Sequence, residues 1–219
     1  QYRYKVMRYY REFTLIEQFD VSKYAIWSAL YKQLHLALVK IKGVDGQVGI
    51  GFSFPEYCYQ KKTDRQPACI GLGSKLRIFA NSEEELAKLA LSLISGLEDY
   101  THLTSMRQVP CKPKGYAIYR RVQVKSSKER LLRRYIKRKE VRGVVLSEEE
   151  QKSQSEHYYK KSLRSSDLPY VHLSSMSTSV GADKNYFRLF IEKQEREVPS
   201  KSSKFSTYGL SVSSTVPEF

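Results

Sequence analysis

KPKGYAIYRRVQVKSSKERLLRRYIKRKEVR (112–142) is the stretch from which the chain is best read. Its 31 residues hold 13 Lys or Arg against Glu129 and Glu140, a net +11 of the chain's +15. Charge this concentrated points to a polyanion, of which nucleic acid is the commonest. Tyr119, Arg121, Gln123 and Lys125 alternate with Arg120, Val122 and Val124, which is strand spacing. Ser126-x-x-Glu129 then has the form of a capping box. Beyond it, Arg130, Arg133, Arg134, Lys137 and Arg138 recur at helical spacing on one face, while Leu131, Leu132, Tyr135 and Ile136 take another face able to pack on a core. The stretch therefore predicts a strand followed by a docked helix with an arginine stripe. A merely solvated charged face is the alternative, but such faces usually mix signs.

Working outward, the 219 residues allow one large or two small domains. A hydrophobic share of 41% with 17 Tyr favours a globular chain over a disordered one. Three cysteines, Cys58, Cys69 and Cys111, show no C-x-x-C; the odd number argues against a disulfide scaffold or a cysteine-rich zinc site and suits a reducing, cytoplasmic compartment. No apolar run is long enough to span a membrane. The start, QYRYK (1–5), is basic without the apolar region of a signal peptide, and the absence of Met at position 1 suggests that a longer natural chain precedes it.

Toward the N-terminus the pattern predicts a strand over Tyr2–Tyr10, a connection over Phe13–Asp20, and a helix over Val21–Lys42 with Trp27, Leu30, Leu34, Leu38 and Ile41 as its apolar stripe. Strands are expected over Val48–Phe54 and Lys75–Ala80, separated by a polar loop over Glu56–Ala68. Ser82-x-x-Glu85 opens a second helix, and Asp99–Val109 is a weaker strand. The order β-α-β-β-α-β is the ferredoxin-like plan. Val109–Gly115 reads as a linker. After the basic strand and helix, Ser147-x-x-Glu150 opens a polar helix to about Arg164, and Leu168–Ser174, Asn185–Lys193 and Lys204–Leu210 look like strands. The expected fold is α+β: a ferredoxin-like (RRM-like) domain over residues 1–110 and a C-terminal α/β part over 111–219 that carries the arginine-rich helix.

The acidic runs Glu83–Glu85 and Glu148–Glu150 sit where carboxylates answer the helix dipole, and the four histidines have no ligand spacing, so no metal is expected. Gly71-Leu-Gly73-Ser74-Lys75 precedes a strand and reads as a turn rather than a phosphate cradle. RNA can be cut without metal when its own 2′-OH attacks the phosphate, given a base, donors for the extra charge and an acid for the leaving 5′-oxygen. Histidine suits both proton roles. His35 lies at the rim of the apolar stripe, where its ring can face a cleft. An ordinary boundary histidine is the commoner meaning of that position, and composition alone does not choose among the many Ser and Tyr.

Nine stretches carry a resemblance: LHLALV (34–39), IGFSFP (50–55), LGSKLRIFA (72–80), RVQVKSSKERLLRR (121–134), LSEEE (146–150), DLPYVHL (167–173), SMST (175–178), YFRLFI (186–191) and YGLS (208–211). In this order they resemble the CRISPR repeat-processing endoribonucleases of the type I-F systems. The resemblance implies an enzyme without cofactor that binds the hairpin of the repeat RNA and cuts at the 3′ base of the stem. The cut needs no metal and leaves a 2′,3′-cyclic phosphate, and the enzyme stays on the product as a subunit of the type I-F surveillance complex. Neither a membrane nor a small-molecule substrate is implied.

By motif match His35 resembles the catalytic histidine, Ser175 the serine that holds the attacking ribose, Ser177 a second matching serine, and Tyr208 the tyrosine that orients the histidine. Phe187 resembles the aromatic that stacks on the terminal base pair of the stem. Arg121 and Gln123 resemble the pair that reads bases, chemistry that suits guanine and adenine respectively. Lys125, Ser126, Ser127, Arg130, Arg133, Arg134, Lys137 and Arg138 resemble backbone and groove contacts. Lys137 stands where an arginine is usual, Ser174 where an arginine can precede the catalytic serine, and the loop Thr178–Asn185 is long. Since an A-form major groove is narrow except near helix ends, the resemblance implies a short stem. Two other readings compete. One is a hairpin-binding subunit that no longer cuts, and the other is a binder of double-stranded DNA that would treat DNA and RNA hairpins alike.

Overall fold

A computed structural model describes residues 7–63, 66–89, 95–123, 128–144, 146–175 and 185–219, with backbone only at 128–131, 159–166, 175 and 185. The chain is a mixed α/β protein with several antiparallel sheets and, among the described residues, four helices. Two compact units divide it: residues 1–121 with 169–219, and residues 122–168.

In the first unit, β1 (Tyr9–Leu15) leads through Ser22, whose hydroxyl accepts from the Ala25 amide, into α1 (Lys23–Ile41). Then follow β2 (Gly51–Ser53), the short ribbon β3 (Cys58–Gln60) and β4 (Cys69–Gly71), β5 (Lys75–Ala80) and α2 (Glu83–Ala87). The strands β6 (Thr101–Leu103) and β7 (Arg107–Gln108) come next, then β8 (Gly115–Val122). The unit resumes after residue 168 with β9 (Tyr170–Ser175), β10 (Asn185–Arg196) and β11 (Val216–Glu218). One sheet runs β2-β5-β1-β6, with β7 also on β1; a second runs β11-β8-β10-β9. In the first, β1 lies antiparallel to β5, with Phe13 opposite Leu76. In the second, Phe187 stands opposite Leu173 and Val216 opposite Ala117.

One apolar core serves both sheets. The α1 stripe contributes Trp27, Leu30, Tyr31, Leu34 and Leu38, all buried against Phe52, Phe54, Leu76 and Ile78 of one sheet and Val171, Leu173, Leu189 and Ile191 of the other. Trp27 enters this core with its indole N–H donating to the Gly73 carbonyl at 3.0 Å, so the ring is buried without an orphan donor. Gly73 itself has φ 77°, as the expected turn requires.

The second unit holds α3 (Lys128–Glu140) and α4 (Glu148–Ser166), packed on one another with Tyr135 edge-on to Tyr158. The Ser147 capping box is closed: Ser147 N donates to Glu150 Oε2 and Glu150 N donates to Ser147 Oγ. At Ser82 only half of the expected box forms. Its hydroxyl accepts from the Glu85 amide, while the Glu85 carboxylate takes the Asn81 amide instead. The box expected at Ser126 lies outside the described residues. Among the described residues no helix is long and apolar enough to cross a membrane.

Four sequence expectations change. The first strand is Tyr9–Leu15, not Tyr2–Tyr10: Tyr10, Phe13 and Leu15 carry its buried face, and Phe13 was assigned to a connection. The polar loop Glu56–Ala68 holds β3, whose partner β4 follows it. An exposed two-stranded ribbon buries neither face and so has no hydrophobic alternation to read. Cys58 and Cys69 at its ends are disulfide-bonded, where the odd cysteine count argued against a disulfide scaffold and for a reducing compartment; Cys111 is free and exposed. Lastly, Lys204–Leu210 is a turn with a single bridge from Phe205 to Val48, and the missed strand is β11, an edge strand that tolerates Pro217.

Candidate active site

Two residues one helical turn apart on α1, Tyr31 and His35, meet the turn Ser206–Leu210. That turn closes on itself, with Gly209 N donating to Ser206 O and Ser206 N donating to Leu210 O, each at 2.8 Å. Gly209 has φ 69°, and a Cβ there would lie 2.4 Å from the Phe52 ring. A side chain at this position would thus meet both backbone strain and a core aromatic. Phe52 N donates to Gly209 O at 2.9 Å, tying the turn to β2.

His35 Nδ1 lies 2.8 Å from the Thr207 carbonyl oxygen. A carbonyl can only accept, so the neutral ring carries its proton on Nδ1 and keeps a lone pair on Nε2. The ring stacks on Tyr208 with centroids 4.1 Å apart and planes 4° from parallel. Tyr31, fully buried, donates its hydroxyl to the Tyr208 carbonyl at 2.7 Å. Burial, and then the nearby Tyr208 phenol, hold the Tyr31 hydroxyl protonated well above the ordinary tyrosine range. The imidazole is therefore fixed in tautomer by one main-chain atom and in plane by one ring, and the main chain that does both is hung from Tyr31.

Arg121, near the end of β8, lies over two of these rings: its guanidinium carbon is 5.2 Å from the Tyr208 centroid and 5.5 Å from that of Phe187. Four residues singled out from the sequence, His35, Arg121, Phe187 and Tyr208, thus gather in one place. Ser175 ends β9 opposite Asn185, its backbone alone described. That strand is held to α1 by Ser28, whose hydroxyl donates to the His172 carbonyl at 2.5 Å. Gln123 is exposed just past β8. Lys125, Ser126, Ser127 and Ser177 lie outside the described residues. On α3, Arg133, Arg134, Lys137 and Arg138 are exposed on one face, and Arg130 is described in backbone only. Tyr31 and Thr207 were missed in the sequence. Tyr31 could have been found by its four-residue spacing from His35; Thr207 acts through its carbonyl, and no side-chain pattern announces that. Among the described residues no group of three or more His, Cys, Asp or Glu could hold a metal ion.

The sequence model of a family described as CRISPR-associated protein (Cas_Csy4) matches residues 10–219. The chain belongs to this family. It is similar to the CRISPR-associated endonuclease Cas6/Csy4 of Pseudomonas aeruginosa (strain UCBPP-PA14), 35% identical over 194 residues that cover 89% of this chain and 90% of that protein. It is also similar to the protein of the same name in Escherichia coli (strain UTI89 / UPEC), 30% identical over 213 residues covering 97% of this chain and all of that protein. In this Cas_Csy4 chain, the match runs from β1 to the C-terminal residue, so it takes in both the His35 cluster and the basic helix.

Proposed function

We propose that the chain is a metal-independent CRISPR endoribonuclease that binds the repeat hairpin and cuts at the 3′ base of its stem. The observation that carries the reading is His35, with its Nδ1 proton committed to Thr207 and Nε2 left free to accept. In the proposed step Nε2 takes the proton of the 2′-OH, O2′ attacks the adjacent phosphorus, and the bond from phosphorus to O5′ breaks. The leaving O5′ gains a proton and the other product keeps a 2′,3′-cyclic phosphate. Ser175 would hold the attacking ribose, with Ser177 beside it, and Tyr208 keeps the imidazole in plane. The remaining roles follow the family resemblance, and side-chain chemistry is consistent with them. Phe187 offers a face for the last base pair, and Arg121 and Gln123 offer donors for guanine and adenine. Lys125, Ser126 and Ser127 would contact the RNA backbone, and Arg130, Arg133, Arg134, Lys137 and Arg138 would enter the groove.

The strand order β2-β5-β1-β6, with α1 after the first strand and α2 after the third, supports a ferredoxin-like N-terminal domain. We place that domain at residues 1–110 and the RNA-binding part, with its arginine-rich helix, at 111–219. Both relatives bear the name CRISPR-associated endonuclease, which supports a nuclease of a CRISPR system. We further propose that it acts in the cytoplasm without a cofactor and remains on its product as a subunit of the surveillance complex.

The test is cleavage of the cognate repeat hairpin in EDTA, beside the same RNA carrying one 2′-deoxy sugar at the scissile position. Cutting of the first, with binding but no cutting of the second, is the expected result. Binding of both with cutting of neither would make the chain a hairpin-holding subunit, and equal affinity for a DNA hairpin would remove RNA as its target.

A further inference from the structure

A serine in the middle of a helix often turns its hydroxyl back on the carbonyl four residues earlier. Ser28, inside α1, reaches outward instead, and its hydroxyl donates to the His172 carbonyl of β9 at 2.5 Å. That carbonyl is available because β9 is the edge of its sheet, laddered only to β10. Pro169 O accepts from Ile191 N at 2.9 Å, which sets the parity of the ladder and turns the His172 carbonyl away from β10. A second contact joins the same two elements. Tyr24 stacks on Tyr170 with centroids 6.5 Å apart and planes 26° from parallel.

The two contacts fix a direction as well as a distance. Tyr24 precedes Ser28 by four residues and Tyr170 precedes His172 by two, so α1 and β9 run the same way along their contact. The spacings agree, about 6 Å along the helix axis and about 7 Å along the strand. Beyond Ser28 the match continues. His35 comes seven residues later on α1, about 10 Å along the axis, and Ser175 three residues later on β9, also about 10 Å. Two arms of equal length thus leave one hydrogen bond, and they end on the proposed base and on the residue proposed to hold the attacking ribose.

We propose that Ser28 is a positioning residue for cleavage: its hydrogen bond to β9 sets the Ser175 position level with His35, so that the ribose is held where Nε2 can take the 2′ proton. The proposal rests on the hairpin-cutting reading and deepens it. Ser28 contacts neither the RNA nor the imidazole and acts through Ser175. Alignment is where such a bond counts, since a shift of about 1 Å at the reacting atoms can cost on the order of 100-fold in rate. Its weight in stability is small by comparison. Alanine is the better helix former, and His172 is exposed, so water can take the place of the hydroxyl at its carbonyl. Removing the hydroxyl therefore separates alignment from folding.

The experiment measures single-turnover cutting of the cognate hairpin in EDTA by wild type, Ser28→Ala, Ser28→Thr and Ser28→Val, with hairpin affinity and Tm alongside. Threonine and valine share a shape and differ by the hydroxyl, so this pair decides the matter even if alanine disturbs the helix. Ser28→Ala and Ser28→Val should cut about tenfold more slowly at unchanged affinity and with little change in Tm. Ser28→Thr should keep most of the wild-type rate. Ser28→Ala is then combined with Ser175→Ala. With no serine left to hold the ribose, losing the Ser28 hydroxyl as well should cost about twofold or less, so the two losses are not additive. Equal rates for Ser28→Thr and Ser28→Val, or a Ser28→Ala loss that persists in full beside Ser175→Ala, would overturn the proposal. Cutting by wild type reports the hairpin-cutting reading by itself: without it both ideas fall, and with it the role of Ser28 can fail alone.

Discussion

The His35 site and the basic face of α3 hold their functional side chains in opposite ways. His35 is fixed by a carbonyl at 2.8 Å and a parallel ring at 4.1 Å, and the turn that supplies both is bonded to Tyr31 and Phe52. On α3, Arg133, Arg134, Lys137 and Arg138 stand in solvent, and Arg138 Nε donates along the helix to the Arg134 carbonyl at 3.3 Å. Proton transfer, the role proposed for His35, demands placement to a fraction of an ångström, and a side chain held by several neighbours meets that demand. Attraction to phosphates acts over several ångströms, so long flexible cations suffice and a fixed partner would only compete with the RNA. One region is built for geometry and the other for charge, and the two should separate in experiment.

The largest separation should come from His35→Ala. Removing a general base typically costs 10²–10⁴ in rate, so single-turnover cutting should fall by about 10³-fold while hairpin affinity stays within about twofold. A parallel loss of affinity would place His35 in the binding surface and erase the contrast.

The converse variant is Arg133→Ala, Arg134→Ala, Lys137→Ala and Arg138→Ala together. Each phosphate contact contributes about −0.9 to the slope of log affinity on log salt, by the duplex DNA calibration. The slope should therefore flatten by about 3 to 4, and affinity near 0.1 M salt should drop by about 100-fold or more. With RNA saturating, the cutting rate should hold. An unchanged slope would mean that these four side chains do not meet phosphate, and the basic helix would lose its part in the function.

The same contrast explains what could be read from the chain before its structure. The basic face of α3 is written in residue identity and helical spacing, so Arg133, Arg134, Lys137 and Arg138 could be placed on one face from the sequence. The α1 stripe and β5 were equally plain, because burial on one side imposes a period. The ribbon β3–β4 was not, since neither face is buried, and neither was the turn 206–210, where Tyr208 and Leu210 imitate the alternation of a strand. The site was half readable. His35, Arg121, Phe187 and Tyr208 were named through the family's motifs, and their proximity needed coordinates. The carbonyls of Thr207 and Tyr208 belong to backbone geometry, which any residue could supply.

The finest test of the geometric region is Tyr31→Phe. Phenylalanine keeps the edge-on contact with Phe52 at 5.8 Å and the parallel one with Phe54 at 6.4 Å, and removes only the hydroxyl that meets the Tyr208 carbonyl. Leaving this half-buried carbonyl without its donor costs about 1 kcal/mol, below the full penalty of a buried group, and a chain of this size loses roughly 2–4 °C of Tm per kcal/mol. Stability alone would not distinguish Tyr31 from any other buried tyrosine. Tyr119→Phe supplies the control, since Tyr119 is also buried and its hydroxyl lies 3.1 Å from both the Phe54 carbonyl and the Glu218 carboxylate, neither of which belongs to the turn. Both variants should melt lower by similar amounts. Only Tyr31→Phe should also slow single-turnover cutting, by roughly threefold to tenfold at unchanged affinity, because only there does the freed carbonyl belong to the residue stacked on His35. Equal rates in the two variants would reduce Tyr31 to a packing residue and leave the tautomer of His35 to Thr207 alone.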